Sequence, residues 1–387
     1  MTDTHTLYRN KIIHGLYVAV LKPIFFLQDP EKVHDYMTHI GARLGSHSWS
    51  RVITRGLFDY KNKKLSQDIL GIHFGNPIGL SAGFDKNAEM IDILPSVGFG
   101  FAEVGSITGE RCEGNPKPRL WRLPKSESLV VWYGLKNDGC EAISKRLEEK
   151  LDGKHFDIPV GMSVAMTNCA ENLVLENAIK DFAKAFRVME PVGDYITVNI
   201  SCPNAQGGQP FVDAQKLDLL FNELDKVPTK KSVFIKLSPD LSYDGFDSIL
   251  EVVHKHRIDG IITTNLTKNR DNPKILDENV SGVGGISGKA VKDLADDTLA
   301  YISKKESSWG ASKNKNGKKL VLIASGGVFT AADAYKKIRL GASLVQMITG
   351  MIYEGPQVIG EINRGLVELL KKDGFTNISQ AIGADIC

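Results

Sequence analysis

The sequence has few cysteines, and none of them form a CxxC pair. The five are Cys112, Cys140, Cys169, Cys202 and Cys387. An odd number without paired spacing argues against a disulfide framework and against a thiolate zinc site, and it favours a reducing compartment. The histidines do not cluster as metal ligands either, so we predict no bound metal.

The chain also lacks a strong excess of charge and a long uninterrupted apolar run. It carries 48 basic and 46 acidic residues, for a net charge of +2, which leaves no broad basic surface to neutralise phosphates. The most apolar stretch, residues 12–27, is interrupted by His14, Lys22 and Pro23 and is too short to span a bilayer. We therefore predict no nucleic-acid partner, no transmembrane helix and no signal peptide.

The first part of the chain is predicted to form a small helical appendage. At 387 residues, one barrel-sized domain plus an appendage fits better than two equal halves. Apolar residues recur at helical spacing over residues 11–27. A second helix should begin at Asp29, Pro30 and Glu31 and run to about Leu44. We assign residues 1–58 to this segment, which either plugs one end of the main domain or lies on a membrane.

The main domain, residues 59–387, alternates short apolar runs with helical patterns. Most runs are apolar throughout, as strands covered on both faces should be. A polar insertion from Thr108 follows the second run, and a helix should begin at Cys140. Eight such units predict a (β/α)8 barrel, a TIM barrel of the α/β class; a doubly wound sheet would need a glycine fingerprint that is not evident. The predicted strands are Pro77–Ala82, Phe99–Ile107, Ile158–Met166, Tyr195–Ile200, Ser232–Leu237, Gly260–Asn265, Leu320–Ser325 and Ala342–Ile348.

Unusual residues stand where these strands end, which is where chemistry lies in a barrel. After the fourth strand, Thr197–Asn204 changes from apolar to polar and offers Cys202. Lys236 lies inside the apolar fifth strand and needs an anion or an acceptor there. Glycine-rich segments after the last two strands, with 284–288 just upstream, are typical of a phosphate site. We predict a phosphorylated ring cofactor, with Cys202 moving a proton; a structural thiol is the alternative.

These residues carry a resemblance to a known family. The chain resembles the dihydroorotate dehydrogenases, and among them the membrane-associated class that uses a quinone. The similar stretches run in order along nearly the whole chain: Leu27–His34, Ala82–Lys86, Glu113–Arg119, Asn199–Asn204, Lys236, Gly284–Gly288 and Ala381–Asp385.

The resemblance implies an FMN flavoprotein that oxidises dihydroorotate to orotate in pyrimidine biosynthesis. By motif position the catalytic base is Cys202, and the substrate contacts are Lys86, Asn199, Asn204 and Asn265. A quinone is expected to enter through the helical segment near His34 and Arg122, with the protein bound peripherally at the cytoplasmic face of a membrane. The implied cofactor contacts are Ala82, Gly83, Lys86, Ser106, Ser163, Asn199, Lys236, Thr264, Gly288, Gly327, Ile348 and Thr349.

The chain departs from the family pattern at the site itself. Cys202 stands where the quinone-using members carry serine; with an ordinary thiol pKa of ~8.5 it should be partly ionised near neutral pH and lower the pH optimum. Val131 and Ser163 stand for asparagines, Leu266 for a threonine and Ile348 for a tyrosine. These changes imply either a repacked site or another substrate. The alternatives are therefore an FMN oxidoreductase acting on a different dihydropyrimidine or cyclic amide, and a flavin-binding barrel without turnover.

Overall fold

A computed structural model describes residues 3–309 and 317–386 of the chain. The loop predicted between Ser307 and Lys319 lies largely outside the described residues, and so does Cys387. The described residues contain thirteen strands: β1 (Gln67–Ile69), β2 (Ile72–Phe74), β3 (Ile78–Leu80), β4 (Phe101–Thr108), β5 (Leu120–Leu123), β6 (Ser128–Val131), β7 (Val160–Ala165), β8 (Tyr195–Asn199), β9 (Ser232–Leu237), β10 (Gly260–Thr263), β11 (Gly285–Gly288), β12 (Val321–Ser325) and β13 (Leu344–Met347).

Eight of these strands form a closed parallel barrel, as the sequence predicts. Their order around the barrel is β3, β4, β7, β8, β9, β10, β12 and β13, with β13 pairing back to β3. Each predicted strand is present: β9 has the predicted bounds, β4 begins two residues later and ends one residue later, and the other six are shorter by one to three residues. The (β/α)8 fold is therefore confirmed.

Aromatic rings fill the barrel at the end opposite the carboxyl ends of the strands. Glycines on neighbouring strands leave the space that these rings occupy. A Cβ atom on Gly79 would lie 2.3 Å from the ring of Phe101, and one on Gly161 would lie 2.1 Å from the ring of Tyr195. The β1–β2 hairpin contributes Phe74 to the same cluster. Since side chains close this end, only the carboxyl ends of the strands leave space for a ligand.

The helices of the described residues surround the barrel and precede it. One π-helical turn, Tyr17–Leu21, joins the first two. The helices are α1 (Asp3–Leu16), α2 (Lys22–Phe26), α3 (Pro30–Gly45), α4 (Ser48–Phe58), α5 (Leu94–Val97), α6 (Cys140–Leu151), α7 (Leu175–Met189), α8 (Ala214–Leu224), α9 (Tyr243–Lys255), α10 (Lys292–Trp309), α11 (Ala331–Arg339), α12 (Thr349–Glu354) and α13 (Val358–Lys372).

Most helix predictions agree with the structure, with informative exceptions. Helix α3 begins as predicted, since the Asp29 carboxylate accepts a hydrogen bond from the Lys32 N–H at 2.9 Å. The helix predicted over 88–97 begins later, as a 3-10 turn over Ile91–Ile93 that continues into the short α5. Helix α4 was not predicted. Within 3–309 and 317–386, no helix is both long and apolar enough to cross a bilayer.

A second small sheet stands over the open end of the barrel. Strands β5 and β6 form a hairpin within the polar insertion, and β11 pairs antiparallel with β6. The N-terminal helices dock on this sheet through a buried ion pair between Glu31 of α3 and Arg119, at 2.7 Å. The insertion therefore links the helical segment to the barrel mouth.

Candidate active site

A single cavity opens at the carboxyl ends of the barrel strands and collects most of the predicted site residues. Ser163 and Arg122 are not among the residues that line it. Ser163 is buried, with its Oγ 2.8 Å from that of Ser106. The predicted residues that do line the cavity are His34, Ala82, Gly83, Lys86, Ser106, Asn199, Cys202, Asn204, Lys236, Thr264, Asn265, Gly288, Gly327, Ile348 and Thr349.

Cys202 lies on the loop that follows β8, whose last paired residue is Asn199. It is partly exposed because it faces the cavity. Desolvation by the surrounding walls raises the pKa of Cys202 to about 11. The sequence-based expectation that Cys202 is partly ionised near neutral pH is therefore wrong for the unliganded protein, since it took the thiol pKa as unperturbed.

Three asparagines converge on the cavity, and the side chain of each donates at least one hydrogen bond. Asn199 donates from Nδ2 to Ser106 Oγ at 2.8 Å. Asn265 donates from Nδ2 to Ser201 Oγ at 3.0 Å and to Asn199 Oδ1 at 3.3 Å. Asn204 donates to the carbonyl of Val131 at 2.8 Å. Its Oδ1 is buried and has no hydrogen-bond partner among the described residues, so an acceptor is left for a ligand.

Lys236 reaches into the cavity from β9 and is almost fully buried. Its Nζ donates to Ser81 Oγ at 3.2 Å. Desolvation lowers the pKa of Lys236, against the opposing effect of the Glu103 carboxylate. Glu103 lies inside β4 and was not singled out from the sequence, although a glutamate in an apolar strand is the same signal that identified Lys236. A cation so poorly paired is suited to meet negative charge on a bound group.

Lys86 is the second lysine that lines the cavity and was predicted to bind a ligand. Its Nζ lies 3.1 Å from His34 Nε2 and 3.9 Å from the centre of the Tyr133 ring. Desolvation lowers the pKa of Lys86 to about 7. Desolvation, followed by the charge of Lys86, also lowers the pKa of His34. Tyr133, which the sequence did not single out as a site residue, therefore packs beside the predicted substrate-binding lysine.

Glycine backbone lines the opposite end of the cavity. Gly288 and Gly327 have positive φ angles of 88° and 70°. A Cβ atom would lie 2.5 Å from the Glu127 carbonyl oxygen at the first and 2.4 Å from Lys292 Cβ at the second. The hydroxyls of Ser287 and Thr349 lie 2.9 Å apart beside them. Main-chain groups and hydroxyls of this kind are suited to bind a phosphate.

The cavity has an apolar arm toward the small sheet. Leu120 and Leu129 of the β5–β6 hairpin line it together with Ile352 of α12. Val131 and Leu266 add apolar surface near Cys202. Arg122 lies outside this lining, donating to the Gln28 carbonyl at 2.7 Å and packing on the Phe26 ring at 4.7 Å. It therefore anchors the N-terminal helices to the hairpin.

Comparison with known proteins decides the family. The family profile described as "Dihydroorotate dehydrogenase" matches residues 64–370. The chain belongs to the dihydroorotate dehydrogenase family. The resemblance stated from the motifs is thus confirmed, and the chain is an enzyme of this family by sequence.

Curated relatives of the family are similar over nearly their full length. A protein of Trichodesmium erythraeum named "Dihydroorotate dehydrogenase (quinone)" is 33% identical over 385 residues, 95% of this chain and 98% of the relative. A protein of Halobacterium salinarum with the same name is 36% identical over 373 residues, 95% of this chain and 99% of the relative.

Solved structures of the family agree with the fold. The dihydroorotate dehydrogenase of Eimeria tenella in complex with ferulenol superposes with a TM-score of 0.80 at 30% identity, over 92% of this chain and 96% of that one. Its ligand-free form gives the same TM-score.

Proposed function

We propose that the chain oxidises dihydroorotate to orotate, with FMN as cofactor and a quinone as electron acceptor. One observation carries the proposal: the Cys202 thiol shares a cavity with Lys236 and with the glycine segments around Gly288 and Gly327. A proton-transfer group, a cation and a phosphate cradle are the three elements that a dehydrogenase of this family requires.

The residues of the cavity fit FMN. The Gly288 and Gly327 backbone and the Thr349 hydroxyl would hold the phosphate, and Lys236 would lie against the ring. The Thr264 Oγ1 atom lines the cavity, is buried and has no hydrogen-bond partner among the described residues, as expected of a group that bonds a ligand. When bound, FMN supplies an acceptor for two electrons. The further contacts of Ala82, Gly83, Ser106 and Ile348 are part of the proposal; Ser163 would act only through Ser106.

The same cavity fits a planar substrate that carries amide groups. Asn204 offers a free carbonyl oxygen to a substrate N–H, while Asn199 and Asn265 are oriented by Ser106 and Ser201. Lys86 would meet a negatively charged substrate group. Cys202 would remove the proton from C5 of dihydroorotate after losing its own proton, and the buried walls would exclude water.

The quinone would enter along the apolar arm between the β5–β6 hairpin and α12, with His34 at the inner end. We propose residues 1–58 as a segment that lies on the membrane and 59–387 as the FMN barrel, with peripheral attachment. Attachment at the cytoplasmic face stays a prediction from the sequence. Many large apolar side chains of the segment are exposed: Tyr8, Ile12, Leu16, Val20, Leu21, Ile24, Leu27, Trp49, Val52, Ile53 and Leu57.

A second candidate substrate follows from the apolar wall. Val131 and Leu266 line the cavity where the motif resemblance implies an amide and a hydroxyl, so two polar contacts to dihydroorotate would be missing. Each such loss costs about 1–3 kcal/mol when the partner is left unpaired. A different dihydropyrimidine that lacks the corresponding polar group would bind without this cost.

An anaerobic titration tests both substrates. Purified holoenzyme is mixed with dihydroorotate, or with dihydrouracil, and the flavin absorbance is followed. We expect dihydroorotate to bleach the flavin and the Cys202→Ala variant to abolish bleaching while retaining FMN. Bleaching by dihydrouracil alone would favour the second substrate. Protein that binds FMN but is bleached by neither would contradict both, and protein that cannot bind FMN would contradict the cofactor.

A further inference from the structure

The loop that carries Cys202 is tied to three other loops by a network of side-chain amides. Two asparagines outside the cavity lining, Asn115 and Asn168, form most of these bonds. Asn115 follows β4 in the insertion, and Asn168 follows β7. Neither residue was singled out from its sequence position.

Asn115 is placed between the catalytic loop and the β6 loop. Its Nδ2 donates to the carbonyl of Asn204 at 3.0 Å and to that of Trp132 at 3.2 Å. Its own N–H donates to the Tyr133 carbonyl at 3.0 Å. The approach is close, because a Cβ atom on Gly134 would lie 2.5 Å from the Asn115 side chain. Only glycine at 134 leaves room for this arrangement.

Asn168 completes the connection from the other side of the loop. Its Oδ1 accepts the Gln206 N–H at 2.7 Å, and its Nδ2 donates to Asn115 Oδ1 at 3.2 Å. The same Nδ2 also donates to the Gly134 carbonyl at 3.2 Å. The two asparagines therefore hold the loop at 204 and at 206, just beyond Cys202.

We propose that Asn115 and Asn168 are positioning residues that latch the Cys202 loop closed over the cavity. Cys202, Pro203 and Asn204 form one wall of the cavity, so releasing the loop moves the thiol away from the other walls. The hydrogen bonds that Asn115 and Asn168 make are few and join uncharged groups. The barrel strands on either side, in contrast, are held by continuous backbone hydrogen bonding to their neighbours. The loop is thus the part of the wall that can open at small cost in free energy.

The latch rests on the proposed role of Cys202, but its test does not need turnover. Holoenzyme is treated with iodoacetamide at pH 9, and alkylation of each cysteine is quantified by peptide mass spectrometry. We expect Asn115→Ala and Asn168→Ala each to raise the Cys202 alkylation rate about fivefold, the factor given by loss of a typical hydrogen bond. The double variant should add little, because both residues act on one loop.

Matched controls separate the latch from general destabilisation. Asn222→Ala removes an exposed amide on α8 that bonds Asp218 at 3.0 Å, and should leave Cys202 alkylation unchanged. Buried Cys140 reports global opening in every variant. Asn168→Asp keeps the acceptor for the Gln206 N–H but loses both donated hydrogen bonds. Its Cys202 alkylation rate should therefore lie between those of the unmodified enzyme and Asn168→Ala, and this variant serves as the test even if the alanine variants do not fold.

Two outcomes would overturn the latch. One is Cys202 alkylation in Asn168→Asp at the rate of the unmodified enzyme; the other is equal acceleration at Cys140 and Cys202. Faster alkylation in a protein that dihydroorotate does not reduce would uphold the latch and reject the proposed substrate. In an active enzyme the variants should also lower kcat more than they raise KM, since a displaced base affects the chemical step.

Discussion

At the scale of single residues, the pKa of Cys202 decides how the reaction depends on pH. Because desolvation raises the pKa of Cys202 to about 11, the thiolate fraction of the unliganded enzyme grows throughout the accessible range. We expect the rate of anaerobic flavin bleaching by dihydroorotate to rise about tenfold per pH unit up to pH 9. Stopped-flow absorbance at a series of pH values measures it.

The control for this prediction is another buried thiol. Burial also raises the pKa of Cys140 to about 11, and this residue donates to the Gly109 carbonyl away from the cavity. Cys140→Ser should therefore leave the pH profile unchanged. A bleaching rate that levels off below pH 8 would show that the Cys202 thiol ionises at an ordinary pKa and that the desolvation argument is wrong.

The residues of the site divide into those that the sequence can identify and those that it cannot. Cys202 and Lys236 were predictable because a polar group inside an apolar strand, or just after one, has few structural reasons to be there. The roles of Asn115 and Asn168 depend on which loops meet above the barrel, and no local pattern contains that information. The pKa of Cys202 was mispredicted for the same reason, since its environment comes from distant segments.

At the scale of elements, a buried ion pair contributes to the docking of α3. The Glu31 and Arg119 side chains are each 5% exposed and lie 2.7 Å apart. Removing one partner of such a pair leaves an unpaired buried charge, so we expect Glu31→Gln to lower the free energy of unfolding by about 3–5 kcal/mol. Urea unfolding at pH 7 measures the change, and hydrogen exchange should rise first in α3.

The same pair sets a pH dependence. Desolvation acts to raise the pKa of Glu31, but the hydrogen bond and charge of Arg119, together with Lys117 and Lys136, hold it below its ordinary value of 4.5. The stabilisation is therefore complete above pH 4.5 and is lost as the pH falls through the lowered pKa. Glu149→Gln, which removes the exposed pair with Lys145, should cost less than about 1 kcal/mol. Equal losses in the two variants would contradict the prediction.

The strands and helices differ in how well the sequence predicted them. The barrel strands were predictable because strands covered on both faces are continuously apolar. The β5–β6 hairpin was missed because it lies within a polar insertion. The third strand of its sheet, β11, is more than 150 residues away in the sequence. Helix α4 was not predicted, although Trp49, Val52 and Ile53 recur at helical spacing; this apolar face is exposed, whereas a soluble helix usually buries it.

At the scale of the whole molecule, the exposed apolar side chains are concentrated on one region. In α1 through α2, Tyr8, Ile12, Leu16, Val20 and Ile24 recur every four residues on the outside. The apolar arm of the cavity reaches α12, which the π-helical turn contacts through the Tyr17 hydroxyl and the Ile352 carbonyl at 2.6 Å. An apolar surface beside the mouth of an apolar channel is the arrangement that a lipid-soluble electron acceptor requires.

This arrangement predicts membrane binding that depends on few side chains. Two double variants test this: Ile12→Ser with Leu16→Ser, and Val52→Ser with Ile53→Ser. Each should reduce co-sedimentation with phosphatidylcholine–phosphatidylglycerol vesicles at least about tenfold, since each removes two apolar side chains that the membrane would bury. Leu219→Ser with Leu276→Ser changes residues that are equally exposed, at 51% and 60%, on the barrel, and should have no effect. Turnover with a water-soluble quinone should be unchanged in all three, whereas turnover with a vesicle-held quinone should fall only in the first two. Vesicle binding that is equal in all variants would mean that the exposed face does not meet the membrane.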